Sequence, residues 1–182
     1  MNILNEKDSI ILIIDIQDKL LNAVFNPELI LKKSEIIAKT ADLLDIPVVV
    51  TEQYPIGLGK TIDKLSEALP SSTRYFEKNT FSALDNPEIV EMIRTLRRKQ
   101  IIVLGIETHI CVSQTVNALV EAGYDVNVIA DACGSRSETE YLAGLDRMKE
   151  AGAHIMTAET AIFEWLRASS HPKFKEIQKL IK

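Results

Sequence analysis

The sequence contains few of the residues that build metal sites or disulfide frameworks. Its 182 residues include only two cysteines, Cys111 and Cys133, and three histidines. Two cysteines imply no disulfide framework, and a reducing compartment is the default for such a chain. The histidines are scattered along the chain, so we expect no bound metal and no cofactor. They are His109, His154 and His171.

Long apolar runs and an excess of positive charge are also missing. No apolar run approaches the roughly 20 residues that a membrane helix needs, and residues 1–8 lack the basic and apolar segments of a secretory signal. The net charge of −5 argues against a dedicated nucleic-acid surface. We therefore expect a cytoplasmic protein that binds neither membranes nor nucleic acids.

Aliphatic residues are abundant and follow an alternating pattern. The chain is 46% hydrophobic but only 5% aromatic, and helical stretches lie between most of its apolar runs. Such alternation is typical of a parallel sheet covered on both faces. The sequence predicts one α/β domain over residues 1–182, a three-layer α-β-α sandwich with a central, mostly parallel six-stranded sheet of Rossmann-like type. The predicted strands are residues 10–14, 46–50, 75–77, 101–104, 126–130 and 154–156.

The stretch that leads to Cys111 is the most informative. Residues 101–104 predict a buried strand that Gly105 ends, and a helix is predicted over residues 108–122. Unpaired N–H groups and the positive end of the helix dipole favour a thiolate at such a position. We therefore predict a lowered pKa for Cys111. A buried structural cysteine is the alternative interpretation.

Two charged residues follow other predicted strands. Asp15 comes directly after residues 10–14, and Lys78 comes directly after residues 75–77. Ligands of open parallel sheets bind at the carboxyl ends of the strands, so an acid, an amine and a thiol can converge there. The sequence predicts a site in which Asp15 accepts the proton of Cys111 and Lys78 stabilises the resulting anion.

Three motifs in this order resemble the signatures of the isochorismatase-like cysteine hydrolases, a superfamily that includes nicotinamidases. The similarity runs from about residue 8 to residue 165, and residues 50–59 and 131–136 resemble the subgroup of isochorismatase domain-containing proteins. The motifs are Asp15-Ile16-Gln17, Lys78-Asn79-Thr80-Phe81-Ser82 and Gly105-Ile106-Glu107-Thr108-His109-Ile110-Cys111-Val112.

The resemblance implies a reaction and the residues that carry it. A Cys111-Asp15-Lys78 triad would cleave a small-molecule amide, ureide or imide at its C–N bond through a thioester. A cis peptide between Ile106 and Glu107 would direct the N–H groups of Glu107 and Cys111 toward one oxyanion. Relatives form dimers or larger rings, so a homo-oligomer, a dimer or tetramer, is expected.

Some segments depart from the nicotinamidase pattern. Residues 51–54 lack the histidine that ligates metal in those enzymes, and the presence of Cys111 points away from the vinyl-ether hydrolysis of true isochorismatases. We interpret Cys133 as a structural thiol, Glu52 as an exposed loop carboxylate, and Asp131 and Arg136 as residues that hold a loop or a subunit contact.

A pocket and two other functions complete the predictions. We expect the substrate pocket to be lined by Gln17, Tyr54, Phe81 and Leu84, although Phe81 or Leu84 could equally be plain core. A non-catalytic binding or scaffold protein remains an alternative function. A ribonuclease is a third, against which the net acidity weighs.

Overall fold

The computed structural model describes residues 3–182, which form one six-stranded, all-parallel sheet between two layers of helices. The strand order is β3-β2-β1-β4-β5-β6. The strands are β1 Ser9–Ile14, β2 Val48–Gln53, β3 Arg74–Lys78, β4 Gln100–Ile106, β5 Asp125–Gly134 and β6 His154–Met156. This confirms the predicted α/β fold with its central parallel sheet.

Nine α-helices connect and cover these strands in the described part of the chain. A 3-10 turn, Ala83–Asp85, precedes α5, and a π-helical turn, Thr108–Val112, precedes α6. The helices are α1 Asp18–Leu21, α2 Pro27–Leu43, α3 Pro55–Leu58, α4 Asp63–Ser66, α5 Pro87–Leu96, α6 Ser113–Glu121, α7 Glu138–Glu150, α8 Ala158–Leu166 and α9 Phe174–Ile181.

The core lies on both faces of the central strands. Every residue of β1 and β4 is buried, and both strands consist largely of Ile, Leu and Val, as expected for strands covered on two sides. Helix α2 packs with α8 and α9, while α6 packs with α7. The strand order reverses direction between β1 and β4, which makes the carboxyl ends of these two strands the natural position for a ligand crevice.

The local differences from the sequence prediction that bear on the site lie along β4 and the helix that follows it. Gly105 does not end the strand, because β4 continues to Ile106 and Gly105 pairs with Ile14. A side chain at residue 105 would collide with the backbone of Ile14, and its φ of 136° is one that residues with side chains rarely adopt. The predicted single helix over residues 108–122 divides into the π turn and α6.

No helix within residues 3–182 combines the length and the apolar composition that crossing a membrane requires.

Candidate active site

The carboxyl ends of three neighbouring strands and the π turn meet at one edge of the sheet. Asp15 follows β1 in a left-handed conformation (φ 54°), and Lys78 is the last residue of β3. Cys111 lies in the π turn that follows β4. Turns of this type occur often at functional sites. The residues around Asp15 and Lys78 are called the carboxylate side below, and those around Cys111 and Glu107 the thiol side.

An ion pair that is closed to solvent forms the centre of the carboxylate side. Lys78 Nζ lies 2.7 Å from Asp15 Oδ2, and both side chains are fully buried. Thr51 Oγ1 donates a hydrogen bond of 2.6 Å to the other carboxylate oxygen, Oδ1. Each oxygen of Asp15 therefore has a partner, which is the condition under which a buried charge is tolerated.

The Lys78 ammonium has further acceptors that fix its position. It donates to Gln53 Oε1 at 2.6 Å and to the backbone carbonyl of Phe81 at 3.3 Å. Gln53 in turn donates through Nε2 to the carbonyl of Asn79. Residues 79–81 thus wrap around the ammonium, and the sequence predictions had not assigned any role to Gln53 or Thr51.

The environment of Cys111 contradicts the predicted low pKa. Burial, together with the charge and proximity of Asp15, raises the pKa of the Cys111 thiol to about 12, and Lys78 opposes this shift. The side chain is only 6% exposed. The prediction weighed the helix end and the ammonium, but desolvation of the thiolate and the adjacent carboxylate outweigh both. At neutral pH the thiol is therefore protonated.

Glu107 links β4 to the π turn. The Ile106–Glu107 peptide is cis, and the carbonyl of Glu107 accepts hydrogen bonds from the N–H groups of Ile110 and Val112. The carboxylate of Glu107 pairs with Arg136, with Nε 2.8 Å from Oε1.

Helix α7 holds the π turn from the other side. His109 Nδ1 lies 3.0 Å from Ser135 Oγ, and His109 Nε2 lies 3.4 Å from a carboxylate oxygen of Glu140. Gly144 permits close packing, because a Cβ atom there would lie 2.9 Å from the backbone of Thr108 and His109. The position of Cys111 thus depends on contacts made by a helix that follows β5.

The four predicted pocket residues occupy different environments. Gln17 is fully buried, and its amide donates to the carbonyls of Gln53 and Gly59 and accepts from the N–H of Gln53. The hydrogen bonds of Gln17 therefore hold the loop after β2 in place. Tyr54 directly follows β2 and Phe81 lies three residues after the end of β3, and both are half exposed, at 52% and 54%. Leu84 lines a small separate cavity of about 90 Å³ between α5 and α6.

Three other sequence interpretations can be compared with the structure. Glu52 was predicted to be an exposed loop carboxylate, which is wrong: it is buried in β2, and Oε1 accepts hydrogen bonds from the N–H and hydroxyl of Thr61. Asp131 holds the start of α8 by accepting from Ala158 N. Cys133 is buried in β5, and burial raises its pKa to about 12.

The described residues do not contain a group of three or more His, Cys, Asp or Glu side chains placed to hold a metal ion.

A wide groove of about 680 Å³ lies along β6 between α7 and α8, at the far edge of the sheet from Asp15 and Lys78. The chemically distinctive groups are therefore separate from that groove.

The parallel sheet with the strand order β3-β2-β1-β4-β5-β6 and the polar groups at its switch point define a doubly wound α/β protein with a candidate site at the strand ends. The chain belongs to the isochorismatase family: the Isochorismatase domain model matches residues 9–160. It is 39% identical to isochorismatase domain-containing protein 2 of Xenopus laevis over 180 residues, which cover 98% of this chain and 85% of that protein.

Solved structures of similar proteins share the fold over almost the whole chain. The structure of MAR1 ribonuclease from Caenorhabditis elegans superposes with a TM-score of 0.94 at 38% identity, covering 98% of this chain and 91% of that one. The YcaC gene product of Escherichia coli, described as an octameric hydrolase of unknown specificity, superposes with a TM-score of 0.88 at 25% identity, covering 98% of this chain and 94% of that one.

Proposed function

We propose that this protein hydrolyses the C–N bond of a small amide, ureide or imide through a thioester on Cys111. The observation that carries the proposal is the fully buried Lys78–Asp15 pair at 2.7 Å, placed where it influences the thiol of Cys111. A purely structural ion pair gains little from such burial, because desolvation offsets most of its Coulomb attraction. A base held ready for proton transfer accounts for the arrangement better.

The raised pKa of Cys111 determines how the first step proceeds. Since the thiol is protonated near neutrality, Asp15 takes its proton while the sulfur forms a bond to the substrate carbonyl carbon. Lys78 holds the carboxylate in position before the transfer. The double bond of the carbonyl opens to an oxyanion, which the N–H groups of Glu107 and Cys111 stabilise.

Release of the product completes the cycle without any net change in the enzyme. The tetrahedral intermediate collapses, its C–N bond breaks, and the leaving nitrogen takes the proton from Asp15. Asp15 then accepts a proton from water as that water attacks the thioester. The C–S bond then breaks and a carboxylic or carbamic acid leaves, while Asp15 returns the proton it took from water to the sulfur of Cys111. The thiol and the Asp15 carboxylate are thereby both restored.

We assign roles to the exposed and supporting residues near the site as follows. Tyr54, directly after β2, and Phe81, three residues after β3, offer half-exposed aromatic surface, and we assign them to contact with the substrate. We assign to Gln17 the support of the loop that carries Tyr54. The octameric state of the E. coli relative leads us to propose a homo-oligomer here also.

Ribonuclease activity is the second candidate, because the C. elegans relative is named a ribonuclease. The net charge of −5 opposes it, since RNA binding draws most of its affinity from neutralised phosphates. The three histidines are also distributed over the π turn, β6 and the segment before α9, which provides no acid–base pair for phosphodiester cleavage.

One experiment separates these functions from a non-catalytic scaffold. A panel of amides, ureides, imides and RNA oligonucleotides is incubated with the wild type, Cys111→Ala and the matched control Cys133→Ala. We expect hydrolysis of at least one C–N substrate by the wild type and Cys133→Ala, no hydrolysis by Cys111→Ala, and an acyl adduct on Cys111 in quenched samples by mass spectrometry. Cleavage of RNA that survives in Cys111→Ala would reject the proposal, and so would full activity of that variant on the amides.

A further inference from the structure

The ion pair on the thiol side leaves part of a guanidinium group available beside the proposed oxyanion hole. Arg136 pairs with Glu107 through its Nε atom, at 2.8 Å from Oε1, and its side chain is 62% exposed. Over the part of the chain that the structure describes, this is the one ion pair that Arg136 makes. A guanidinium has a second edge, formed by its two terminal nitrogens, that matches a carboxylate bidentately.

The backbone places this group at the edge of the crevice. Gly134, the last residue of β5, pairs with Ile106, the last residue of β4. One residue further on, Ser135 Oγ lies 3.0 Å from His109 Nδ1. The segment that ends in Arg136 therefore runs alongside the segment that leads to Cys111, on the opposite side of β4 from Asp15.

We propose that Arg136 is a specificity-determining residue that binds a carboxylate on the substrate, so that the preferred substrates are amides, ureides or imides carrying an anionic group. This inference rests on the proposed function for the identity of the reaction, but not for the binding of the anion. Glu107 holds the guanidinium by its Nε edge and leaves the terminal nitrogens for the ligand. Lys78 is fully buried in its pair with Asp15, whereas Arg136 is 62% exposed and pairs with Glu107 through Nε alone, so Arg136 is the cation whose remaining donors an anionic substrate can reach.

Two alkylating reagents of nearly equal size test this without knowledge of the substrate. Iodoacetate and iodoacetamide both alkylate Cys111, and only iodoacetate carries a carboxylate. The ratio of their rate constants at Cys111 is measured by mass spectrometry in the wild type, Arg136→Gln, Arg136→Lys and Arg147→Gln. Arg147 is an exposed arginine in the last turn of α7, so Arg147→Gln makes the same change in net charge away from the site.

We expect Arg136→Gln to lower the ratio of iodoacetate to iodoacetamide rates by about tenfold or more, as the loss of a hydrogen bond to a charged group implies. The ratio for Arg136→Lys should lie between the ratios for Arg136→Gln and the wild type, because lysine keeps the positive charge but cannot form the bidentate pair. Arg147→Gln should leave the ratio unchanged. An unchanged ratio in Arg136→Gln, or an equal decrease in Arg147→Gln, would overturn the inference.

A measurement on the wild type keeps the test decisive if Arg136→Gln folds poorly. Benzoate should raise the unfolding temperature and slow alkylation of Cys111 by iodoacetamide, whereas benzamide at the same concentration should do both less. Equal effects of the two compounds would contradict carboxylate recognition. Absence of hydrolysis in the amide panel would instead reject the proposed function, and neither binding measurement depends on turnover.

Discussion

The two sides of the crevice are constructed in opposite ways. On the carboxylate side, Asp15 and Lys78 are completely buried and held by side chains from β2. On the thiol side, Glu107 and His109 are held by the partly exposed residues Arg136 and Glu140, which lie after β5 and in α7. The proposed proton acceptor, Asp15, thus lies in a buried environment with fixed partners, whereas the proposed nucleophile, Cys111, lies on a turn whose position depends on surface contacts.

This difference predicts where substitutions act. Changes on the carboxylate side remove the chemistry or leave a charge buried without its partner, so their effects should be large. Changes on the thiol side shift the π turn or weaken screened surface pairs, so their effects should be smaller.

The largest effect is expected from Asp15→Asn. The substitution preserves shape but removes the proton acceptor, so turnover of an amide substrate should fall roughly 10²–10⁴-fold. Steady-state kinetics on the best substrate of the panel gives the measurement, and Asp18→Asn, one turn further along and exposed, is the matched control. An Asp15→Asn enzyme that stayed active would contradict the assignment of the proton acceptor to the carboxylate side.

Lys78→Met should be the most destabilising substitution. It leaves the Asp15 carboxylate buried without its cation, at a cost of about 3–5 kcal/mol in the free energy of unfolding. Denaturant unfolding measures this, and Lys99→Met, at an exposed position, should change stability by less than about 0.5 kcal/mol. The double variant Asp15→Asn/Lys78→Met should recover part of the loss, because no unpaired charge remains. Additive losses would show that the pair is not coupled.

Gly144→Ala tests the contact between α7 and the π turn. Alanine at an unconstrained helical position would stabilise by about 1 kcal/mol relative to glycine. Here the added Cβ would lie 2.9 Å from the backbone of His109, so we expect a loss of about 1–3 kcal/mol instead. Thermal unfolding shows whether the substitution raises or lowers stability. A stabilised variant would mean that the π turn moves at little cost to accommodate the added methyl group.

Glu140→Gln should have the smallest effect. The Glu140 side chain is 51% exposed and its pair with His109 spans 3.4 Å, so the loss should be within about 1 kcal/mol and should shrink further in high salt. Unfolding measured at low and high salt checks this. A loss in the free energy of unfolding as large as that of Lys78→Met would contradict the expected difference between the thiol side and the carboxylate side.

The difference between the carboxylate side and the thiol side also explains how much of the structure the sequence could predict. A continuous apolar run such as residues 10–14 identifies a strand buried on both faces, and a charged residue directly after it falls at the ligand edge of the sheet, as Asp15 does. Lys78 ends a short and mostly exposed strand, β3, and was predicted from its position at a strand end. Thr51 directly follows the predicted second strand, but it carries no charge and was therefore not singled out. The wrong interpretation of Glu52 came from ending β2 three residues early.

The thiol side was less predictable because its properties depend on contacts between distant segments. The approach of α7 to the π turn rests on Gly144, and a glycine within a helical pattern does not by itself indicate which backbone lies against it. The pKa of Cys111 depends on the balance between burial, Asp15 and Lys78, and that balance follows from three-dimensional placement. The sequence pattern indicated the neighbours correctly, but it gave the wrong direction of the shift.

The most direct test of the account is the pH dependence of iodoacetamide alkylation at Cys111, measured by mass spectrometry in a Cys133→Ala background. Because burial and Asp15 raise the pKa of Cys111 to about 12, the wild-type rate should keep rising with pH and reach no plateau below about pH 10. Asp15→Asn should lower the apparent pKa and alkylate faster at neutral pH, since the carboxylate that opposes the thiolate is gone. A wild-type plateau below about pH 8.5, the value for a free thiol, would contradict the central claim that the thiol stays protonated until Asp15 takes its proton.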